Sequence, residues 1–225
     1  MCGRFADYYL RQEISELYRI AFDHMPTSNF PPRYNIAPTQ NSFVVRLNKG
    51  GKRELADLRW GLVPFWAKDL KIGSKMINCQ SETADTKASF RAAFKKRRCL
   101  VVANGFFEWP EKDKPRFITL KEKIPFAFAG LWESWGPKEG DTTETFTILT
   151  TTPNDFMKEV HHRMPVMLAP DAWSLWLGEK EAPVEKLKEL CKPFPSEHMT
   201  SWQVDPKVGN VRNHGPELVQ HLQAL

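Results

Sequence analysis

Cys99-Leu100-Val101-Val102-Ala103 is an uninterrupted apolar run, and Asn104-Gly105-Phe106-Phe107-Glu108-Trp109-Pro110 follows it directly. A run of this length, bounded by turn-forming residues, predicts a buried β-strand that leads into an aromatic segment. Glu108 is the one carboxylate of that segment. If the flanking rings exclude water from it, its pKa rises and it becomes an acid or base suited to neutral pH. A glutamate exposed on a strand edge is the alternative.

Similar short runs recur on both sides of this stretch, separated by turns that contain Gly, Pro or Asn. They predict strands at 42–47, 53–60, 75–79, 116–120, 126–132, 145–150, 166–168 and 200–204. Other patterns predict helices at 7–22 with Asp7 as the cap, after Thr86 or Ser89, at 154–160, 171–177 and 184–191, and near the C-terminus. We therefore expect an α+β fold: a single domain over residues 1–225, with a mostly antiparallel, barrel-like β core flanked by helices.

The composition excludes several classes of protein. Of the 225 residues, 41% are hydrophobic and 26% are charged, as in ordinary globular proteins. The cysteines, at 2, 79, 99 and 191, form no C-x-x-C pair, which argues against zinc ligation and against a disulfide framework. Neither a signal peptide nor a membrane-spanning run is evident. We expect a cytoplasmic protein without metal, cofactor or membrane contact, and its net charge of +5 permits a polyanionic partner without requiring one.

Cys2 follows the initiator methionine, which aminopeptidases remove when the next residue is small. Removal of Met1 gives Cys2 an α-amine and a thiol on adjacent carbons, with ordinary pKa values of about 7.7–8.0 and about 8.5. At neutral pH part of the amine is unprotonated, and roughly a few per cent of the thiol is thiolate. Such a 1,2-aminothiol condenses with an aldehyde to an imine and then closes a five-membered thiazolidine ring. A small residue in a frayed terminus is the alternative.

Local patterns leave the role of other segments open. His161 and His162 are adjacent at a predicted helix end and point to different faces, which argues against a shared metal ion. A histidine there either complements the helix dipole or takes part in catalysis. The basic run Lys95-Lys96-Arg97-Arg98 is either a solvated helix end or a phosphate-binding patch. The aromatic loop from Trp60 to Trp66 either packs in the core or contacts a ligand.

Seven motifs, taken together in this order, resemble the signatures of one family. They are Cys2-Gly3-Arg4-Phe5, Tyr34-Asn35-Ile36-Ala37-Pro38-Thr39, Trp60-Gly61-Leu62-Val63-Pro64, Ile77-Asn78, Glu82-Thr83, Gly105-Phe106-Phe107-Glu108-Trp109 and His161-His162-Arg163-Met164-Pro165. On these residues the chain resembles the SOS-response-associated peptidase (SRAP) family, the HMCES-like abasic-site processing proteins. The likeness extends from residue 2 to the loop at 208–213. It implies the SRAP fold and, as a partner, single-stranded DNA that contains an abasic site.

The resemblance also implies a reaction and assigns roles to matching residues. Members crosslink to abasic sites through the N-terminal cysteine, and the thiazolidine product shields the lesion. An abasic deoxyribose is mostly a closed hemiacetal, so its aldehyde is released by proton transfer. By motif position, Cys2 is the nucleophile, Glu108 the acid/base and His161 the group that positions or protonates the sugar oxygen, while Asn78 hydrogen-bonds the adduct. Residues that match the family's DNA path are Arg4, Pro38, Trp66, Gln80, Trp109, Thr150 and Arg163.

This chain departs from the family pattern at two positions. Gln80 stands where arginine is usual, which predicts weaker and less salt-sensitive DNA binding. His162 stands where aspartate is common. The family's proposed self-processing, which removes what precedes the cysteine, would here release only Met1.

Two other functions stay open at this point. A cysteine peptidase or N-terminal-nucleophile hydrolase would use Cys2 against a carbonyl, assisted by His161 or Glu108. A non-catalytic module would bind single-stranded DNA without forming an adduct. For the DNA-damage function we expect a monomer in the cytoplasm that is associated with the nucleoid when it is bound to DNA.

Overall fold

The computed structural model describes residues 2–27, 31–121, 125–137 and 141–222. The strands, numbered in chain order, are β1 (Phe5–Asp7), β2 (Arg33–Ile36), β3 (Asn41–Leu47), β4 (Arg53–Trp60), β5 (Asn78–Gln80), β6 (Arg98–Val102), β7 (Gly105–Glu111), β8 (Lys114–Leu120), β9 (Ala127–Trp135), β10 (Thr143–Thr151), β11 (Met164–Pro165), β12 (Met167–Leu168) and β13 (Met199–Gln203). The helices are α1 (Arg11–Tyr18), α2 (Arg91–Lys96), α3 (Asp155–Lys158), α4 (Pro170–Leu177) and α5 (Val184–Glu189). No helix within the described ranges is both long enough and apolar enough to cross a membrane.

Five of the strands close into a barrel. Strand β3 pairs with β4, β4 with β10, β10 with β9, β9 with β6, and β6 with β3 again. The β4–β10 pairing is parallel, and the other four pairings are antiparallel. The short strands β5 and β11 add to β10, and β12 adds to β9. The prediction of an α+β fold with a mostly antiparallel, barrel-like core is confirmed.

A second sheet, with the order β13-β8-β7-β1-β2, carries the N-terminal segment. Strand β1 lies inside this sheet, since Phe5 pairs with Ile36 on one side and with Phe106 on the other. Gly105, the first residue of β7, allows the chain around it to pack closely, because a Cβ at this position would lie 2.7 Å from the carbonyl oxygen of Ile118. The residues just before β1 are therefore held by an internal strand and do not form a frayed terminus.

Aromatic side chains fill the space between the barrel and the second sheet. The ring of Phe5 lies 5.0 Å from that of Trp60 and 6.0 Å from that of Phe128, centroid to centroid. Phe106 meets Phe128 edge-on at 5.9 Å. All four rings are fully buried, and each such burial contributes on the order of 1.5–3 kcal/mol to stability. This packing fixes β1 against the barrel and so fixes the position of Cys2.

Helices cover another side of the barrel. Tyr18 of α1 stacks on Trp173 of α4 with ring centroids 4.5 Å apart. Trp176 donates a hydrogen bond from Nε1 to the carbonyl oxygen of Cys99 in β6 at 2.9 Å. The helices predicted at 171–177 and 184–191 are confirmed as α4 and α5, although α5 ends two residues earlier. These helices have a structural role in the core.

The helix predicted at 7–22 is too long, and Asp7 is not its cap. Helix α1 begins after Leu10, whose amide donates to the Glu13 carboxylate at 2.6 Å, and it ends at Tyr18, just before Arg19, which has a φ of 54°. Asp7 is buried in β1 instead. The local pattern suits a helix, but pairing with two neighbouring strands decides the conformation of this segment.

Other boundaries also differ from the predictions. Helix α2 follows Phe90 and has no side-chain cap, so neither Thr86 nor Ser89 begins it. Trp60 is the last residue of β4, which confirms the strand predicted at 53–60, and the aromatic loop therefore begins at Gly61. The expected C-terminal helix is a single 3-10 turn, Pro216–Val219. The end of the chain beyond residue 222 lies outside the described residues.

Candidate active site

The candidate active site lies where the second sheet meets β5 and β10. Asn78, the first residue of β5, donates a hydrogen bond from Nδ2 to the carbonyl oxygen of Cys2 at 2.9 Å. Strand β5 runs parallel to β10, which places Asn78 opposite Ile148. The amide oxygen of Asn78 is buried and has no hydrogen-bond partner among the described residues. A buried acceptor of this kind suits a ligand that brings a donor.

The Trp60-Gly61 corner holds Asn78 in place. Trp60 donates from Nε1 to the carbonyl oxygen of Ile77 at 2.8 Å, immediately before Asn78. Gly61 has a φ of 124°, and a Cβ there would lie 2.6 Å from the carbonyl oxygen of Gly73. A side chain at this position would therefore be both strained and obstructed. The first half of the aromatic loop thus supports the site from within the core.

Cys2 is fully buried. Burial raises the pKa of its thiol far above the ordinary range, and the negative charge of nearby Glu108 raises it further. The expectation that part of the thiol is thiolate at neutral pH concerns the chain from which Met1 has been removed, and it stays a prediction. A neutral thiol needs a base to accept its proton when it reacts. Met1, whose removal is predicted, lies outside the described residues.

Glu108 is a shielded carboxylate, because only 6% of the residue is exposed. Burial raises its pKa above the usual value for glutamate. The pairing of β1 with β7, extended by a 2.9 Å hydrogen bond from the Phe107 amide to the Arg4 carbonyl oxygen, fixes Glu108 relative to Cys2. Its charge acts on the Cys2 thiol, so the two groups lie in one electrostatic environment. The arrangement suits proton exchange between them.

His161 lies beyond the end of α3 and is held by its neighbours. Its Nδ1 lies 2.9 Å from the amide nitrogen of Arg163, which donates to it when the ring proton is on Nε2, and 3.1 Å from the carbonyl oxygen of Arg163, to which it donates when it is itself protonated. The ring stacks on that of His162, with centroids 4.2 Å apart. Burial lowers the pKa of His161, and the neighbouring His162 also lowers it. The lowered pKa favours a neutral ring at pH 7, and the tautomer with its proton on Nε2 has a hydrogen-bond donor to offer.

Both arginines predicted to contact phosphates are engaged by acceptors within the protein. Arg4 donates from Nη1 to Asn35 Oδ1 at 2.7 Å and to the carbonyl oxygen of Val208 at 2.6 Å. Arg163 forms a bidentate ion pair with Glu82, with nitrogen–oxygen distances of 2.7 and 2.8 Å. Charge-assisted pairs of this geometry are strong and orient the guanidinium. A phosphate must therefore compete with Glu82 for Arg163.

The other residues predicted on the DNA path differ in exposure. Trp66 and Trp109 are 49% and 36% exposed, so both rings can contact a base. Gln80 is exposed, and Pro38 is half-buried. Thr150 is fully buried in β10, where its carbonyl oxygen accepts a hydrogen bond from an arginine. Its side chain does not reach solvent in this structure, and its place on the DNA path stays a prediction.

Two residues of this region received no role from the sequence. Asn35 donates from Nδ2 to the carbonyl oxygens of Val208, Asn210 and Asn213 at 3.2, 3.1 and 2.9 Å. It therefore holds the loop at 208–213 beside Arg4. Glu82 orients the second arginine, as described above. Both lie inside motifs that carry the family resemblance, which is the signal that could have found them. Among the described residues no cluster of His, Cys, Asp and Glu could hold a metal ion.

Comparison with known proteins gives consistent results over nearly the whole chain. The family model described as SOS response associated peptidase (SRAP) matches residues 1–211. The abasic site processing protein YoqW of Bacillus subtilis is 41% identical over 224 residues, which cover 98% of this chain and 99% of YoqW. The abasic site processing protein HMCES of Xenopus tropicalis is 33% identical, and the match covers 85% of this chain and 66% of HMCES. A crystal structure of a protein from Bacteroides thetaiotaomicron shares the fold, with a TM-score of 0.80, 24% identity and coverage of 97% of this chain and 100% of that one.

Proposed function

The chain belongs to the SOS response associated peptidase family, and on that premise we propose that it processes abasic sites in single-stranded DNA by crosslinking to them through Cys2. Relatives named abasic site processing proteins support a function at abasic sites. In the proposed product, the aldehyde carbon of the lesion is joined to the α-amine and the thiol of Cys2 in a thiazolidine. The observation that carries the proposal is the hydrogen bond from Asn78 to the Cys2 backbone, beside the buried carboxylate of Glu108.

Ring opening of the sugar is the first step that needs these side chains. The Glu108 carboxylate takes the proton of the anomeric hydroxyl as the bond between the anomeric carbon and the ring oxygen breaks. The Nε2–H group of His161 hydrogen-bonds the ring oxygen and stabilises the negative charge that develops there. The protonated Glu108 then delivers its proton to that oxygen. A carboxyl group whose pKa is raised by burial suits this role, because it holds a proton more readily than an exposed glutamate does.

Adduct formation follows in two bond-forming steps. The unprotonated α-amine of Cys2 attacks the aldehyde and gives a carbinolamine. Glu108, reprotonated from solvent, donates its proton to the carbinolamine hydroxyl group, which leaves as water, so that a protonated imine and the Glu108 carboxylate remain. The thiol then adds to the imine carbon: a sulfur–carbon bond forms, the carbon–nitrogen π pair moves to nitrogen, and the thiol proton passes to Glu108. The high pKa of the buried thiol makes such a base necessary. A hydrolase that relies on a ready-made Cys2 thiolate is disfavoured for the same reason.

Incubation with single-stranded DNA that carries one abasic site tests the proposal. We expect a band that survives a denaturing gel, and an intact mass equal to protein plus DNA less one water. Cys2→Ala should abolish the stable adduct, and Cys2→Ser should allow only an imine. An uncleaved N-terminal tag should also prevent the crosslink, because it removes the free amine and leaves the thiol untouched. Absence of a shifted band with the mature protein would refute the proposal.

The proposal extends to the setting in which the protein works. It acts as a monomer in the cytoplasm and associates with the nucleoid through the crosslinked DNA. Release of Met1 by the chain's own peptidase activity is the alternative to an aminopeptidase, and intact mass after expression without methionine aminopeptidase tests it. Retention of Met1 under those conditions would assign its removal to the aminopeptidase.

A further inference from the structure

A rigid turn after β4 holds two aromatic rings in solvent. The amide of Ala67 donates to the Pro64 carbonyl oxygen at 2.9 Å, and Trp135 donates from Nε1 to the Ala67 carbonyl oxygen at 2.7 Å. Between these fixed ends, Phe65 is 61% exposed and Trp66 is 49% exposed. Two large apolar side chains held next to each other in solvent mark a contact surface.

Phe65 and Trp66 differ in their surroundings. Phe65 borders a cavity of about 410 Å³, and Trp66 is not among the residues that line it. The cavity is formed by Phe65, Ala92, Lys95, Lys96, Arg97 and Glu133. We call it the Phe65 cavity. It includes most of the basic run that ends α2, to which the proposed function gives no role.

The Phe65 cavity carries an excess of positive charge. Glu133 is buried and pairs with Arg97 at 2.6 Å, so the one carboxylate of the cavity is neutralised. Lys95 and Lys96 are exposed, and among the described residues neither has a carboxylate within the 4.0 Å of an ion pair. Lys95 and Lys96 complement the helix dipole at the C-terminal end of α2, and this role accounts for their presence. It does not account for an exposed phenylalanine beside them.

We propose that the Phe65 cavity binds a nucleotide of the DNA strand that flanks the abasic site. The base stacks on Phe65, and Lys95 and Lys96 contact phosphates. An aromatic face beside a basic groove is the arrangement by which proteins hold single strands without reading their sequence. The inference rests on the proposed function, because Trp66 is assigned to the proposed DNA path and Phe65, its neighbour in the chain, borders the cavity. The cavity therefore increases the affinity for DNA strands that are long enough to reach it. The chemistry at Cys2 does not depend on the cavity.

Three variants and two measurements test the proposal. The variants are Phe65→Ala, Lys95→Gln with Lys96→Gln, and a matched control, Lys49→Gln with Lys52→Gln, which removes the same charge from exposed positions on the β3–β4 turn. Fluorescence anisotropy over a salt series gives the affinity for lesion-free single-stranded DNA. Crosslinking at saturating abasic DNA gives the rate of the chemical steps.

Neutralising both cavity lysines should flatten the slope of log affinity against log salt by about 1.4, since each single-strand phosphate contact contributes roughly 0.7. Phe65→Ala should weaken binding roughly 5- to 100-fold at every salt concentration, the range expected for one stacked base. The control pair should change neither quantity, and all variants should crosslink at the parental saturated rate.

The outcomes separate this inference from the proposed function. Unchanged affinity and salt slope in both cavity variants would overturn the inference that the Phe65 cavity binds a nucleotide. An acidic protein segment would then be the ligand that fits the charge of the cavity. Binding that depends on the cavity in a protein that forms no crosslink would support the cavity and overturn the proposed function.

Discussion

Replacing Asp7 by asparagine should stabilise the protein at alkaline pH and have little effect at acidic pH. Asp7 is 5% exposed in β1, and its Oδ1 has no hydrogen-bond partner among the described residues. Burial raises the pKa of Asp7 from 3.8 to about 7, although a hydrogen bond from the Tyr9 backbone and the charge of Arg33 act in the opposite direction. The folded protein therefore holds this proton more tightly than the unfolded chain does.

The sign and size of the effect follow from that difference. The stabilisation is complete below about pH 4 and is lost as the pH rises through about 7, because the folded state must then bury a carboxylate. A pKa that rises from 3.8 to about 7 corresponds to a loss of about 4 kcal/mol in the free energy of unfolding above that pH. Asp7→Asn has no proton to lose. We expect its free energy of unfolding to exceed that of the parent by about that amount at pH 8 and to equal it at pH 4.

Urea unfolding of both proteins between pH 4 and pH 8 measures this difference. Asp141→Asn, at an exposed carboxylate, is the control and should show no pH-dependent gain. A difference between Asp7→Asn and the parent that is the same at pH 5 and pH 8 would refute the reasoning. So would a variant that is less stable than the parent at pH 8. Because β1 lies directly after the Cys2 segment, the same variant should also retain crosslinking at a higher temperature at pH 8.

Substitutions at the candidate site give three further predictions. Glu108→Gln should slow single-turnover crosslinking about 100- to 10,000-fold and abolish the rise in rate as the pH passes the raised pKa of Glu108. The urea midpoint at pH 7 should not fall. An unchanged crosslinking rate would remove Glu108 from the mechanism. Glu82→Gln should free Arg163 and tighten binding of single-stranded DNA in anisotropy titrations, whereas Arg163→Gln should weaken it; if both match the parent, the ion pair does not compete with DNA. Gln80→Arg should steepen the salt slope by about 0.7, and an unchanged slope would contradict a phosphate contact at that position.

The class of fold was accessible from sequence because it depends on local signals. Short apolar runs between turn residues indicated the strands, and prolines indicated the starts of α4 and α5. Which strands pair to close the barrel could not be predicted, since the parallel pairing of Thr145 with Arg59 joins strands that are far apart in the chain. The conformation of the Phe5–Asp7 segment depends on two distant partners in the same way. Local periodicity does not report such partners.

The residues of the candidate site could be predicted from the sequence, but their burial, charge and hydrogen bonding could not. Family resemblance selected Asn78 and Glu108, and the structure places both beside Cys2. No motif reveals that Arg163 is already paired or that Thr150 is buried, because both facts arise from the packing of β10 against β5 and β11. Charge, burial and competition for hydrogen bonds are set by neighbours in space.

The buried, neutral thiol of Cys2 determines the order of events under the proposed function. A thiol that burial and the charge of Glu108 keep protonated is a poor nucleophile and resists alkylation and oxidation. The α-amine, whose ordinary pKa is about 7.7–8.0, is partly unprotonated at neutral pH and attacks first. Once the imine has formed, the thiol lies on the adjacent carbon and reacts intramolecularly, an arrangement that offsets its low reactivity. Burial thus reserves the thiol for an aldehyde that has already been captured by the amine, and a thiol-directed reagent should compete poorly with abasic DNA for Cys2.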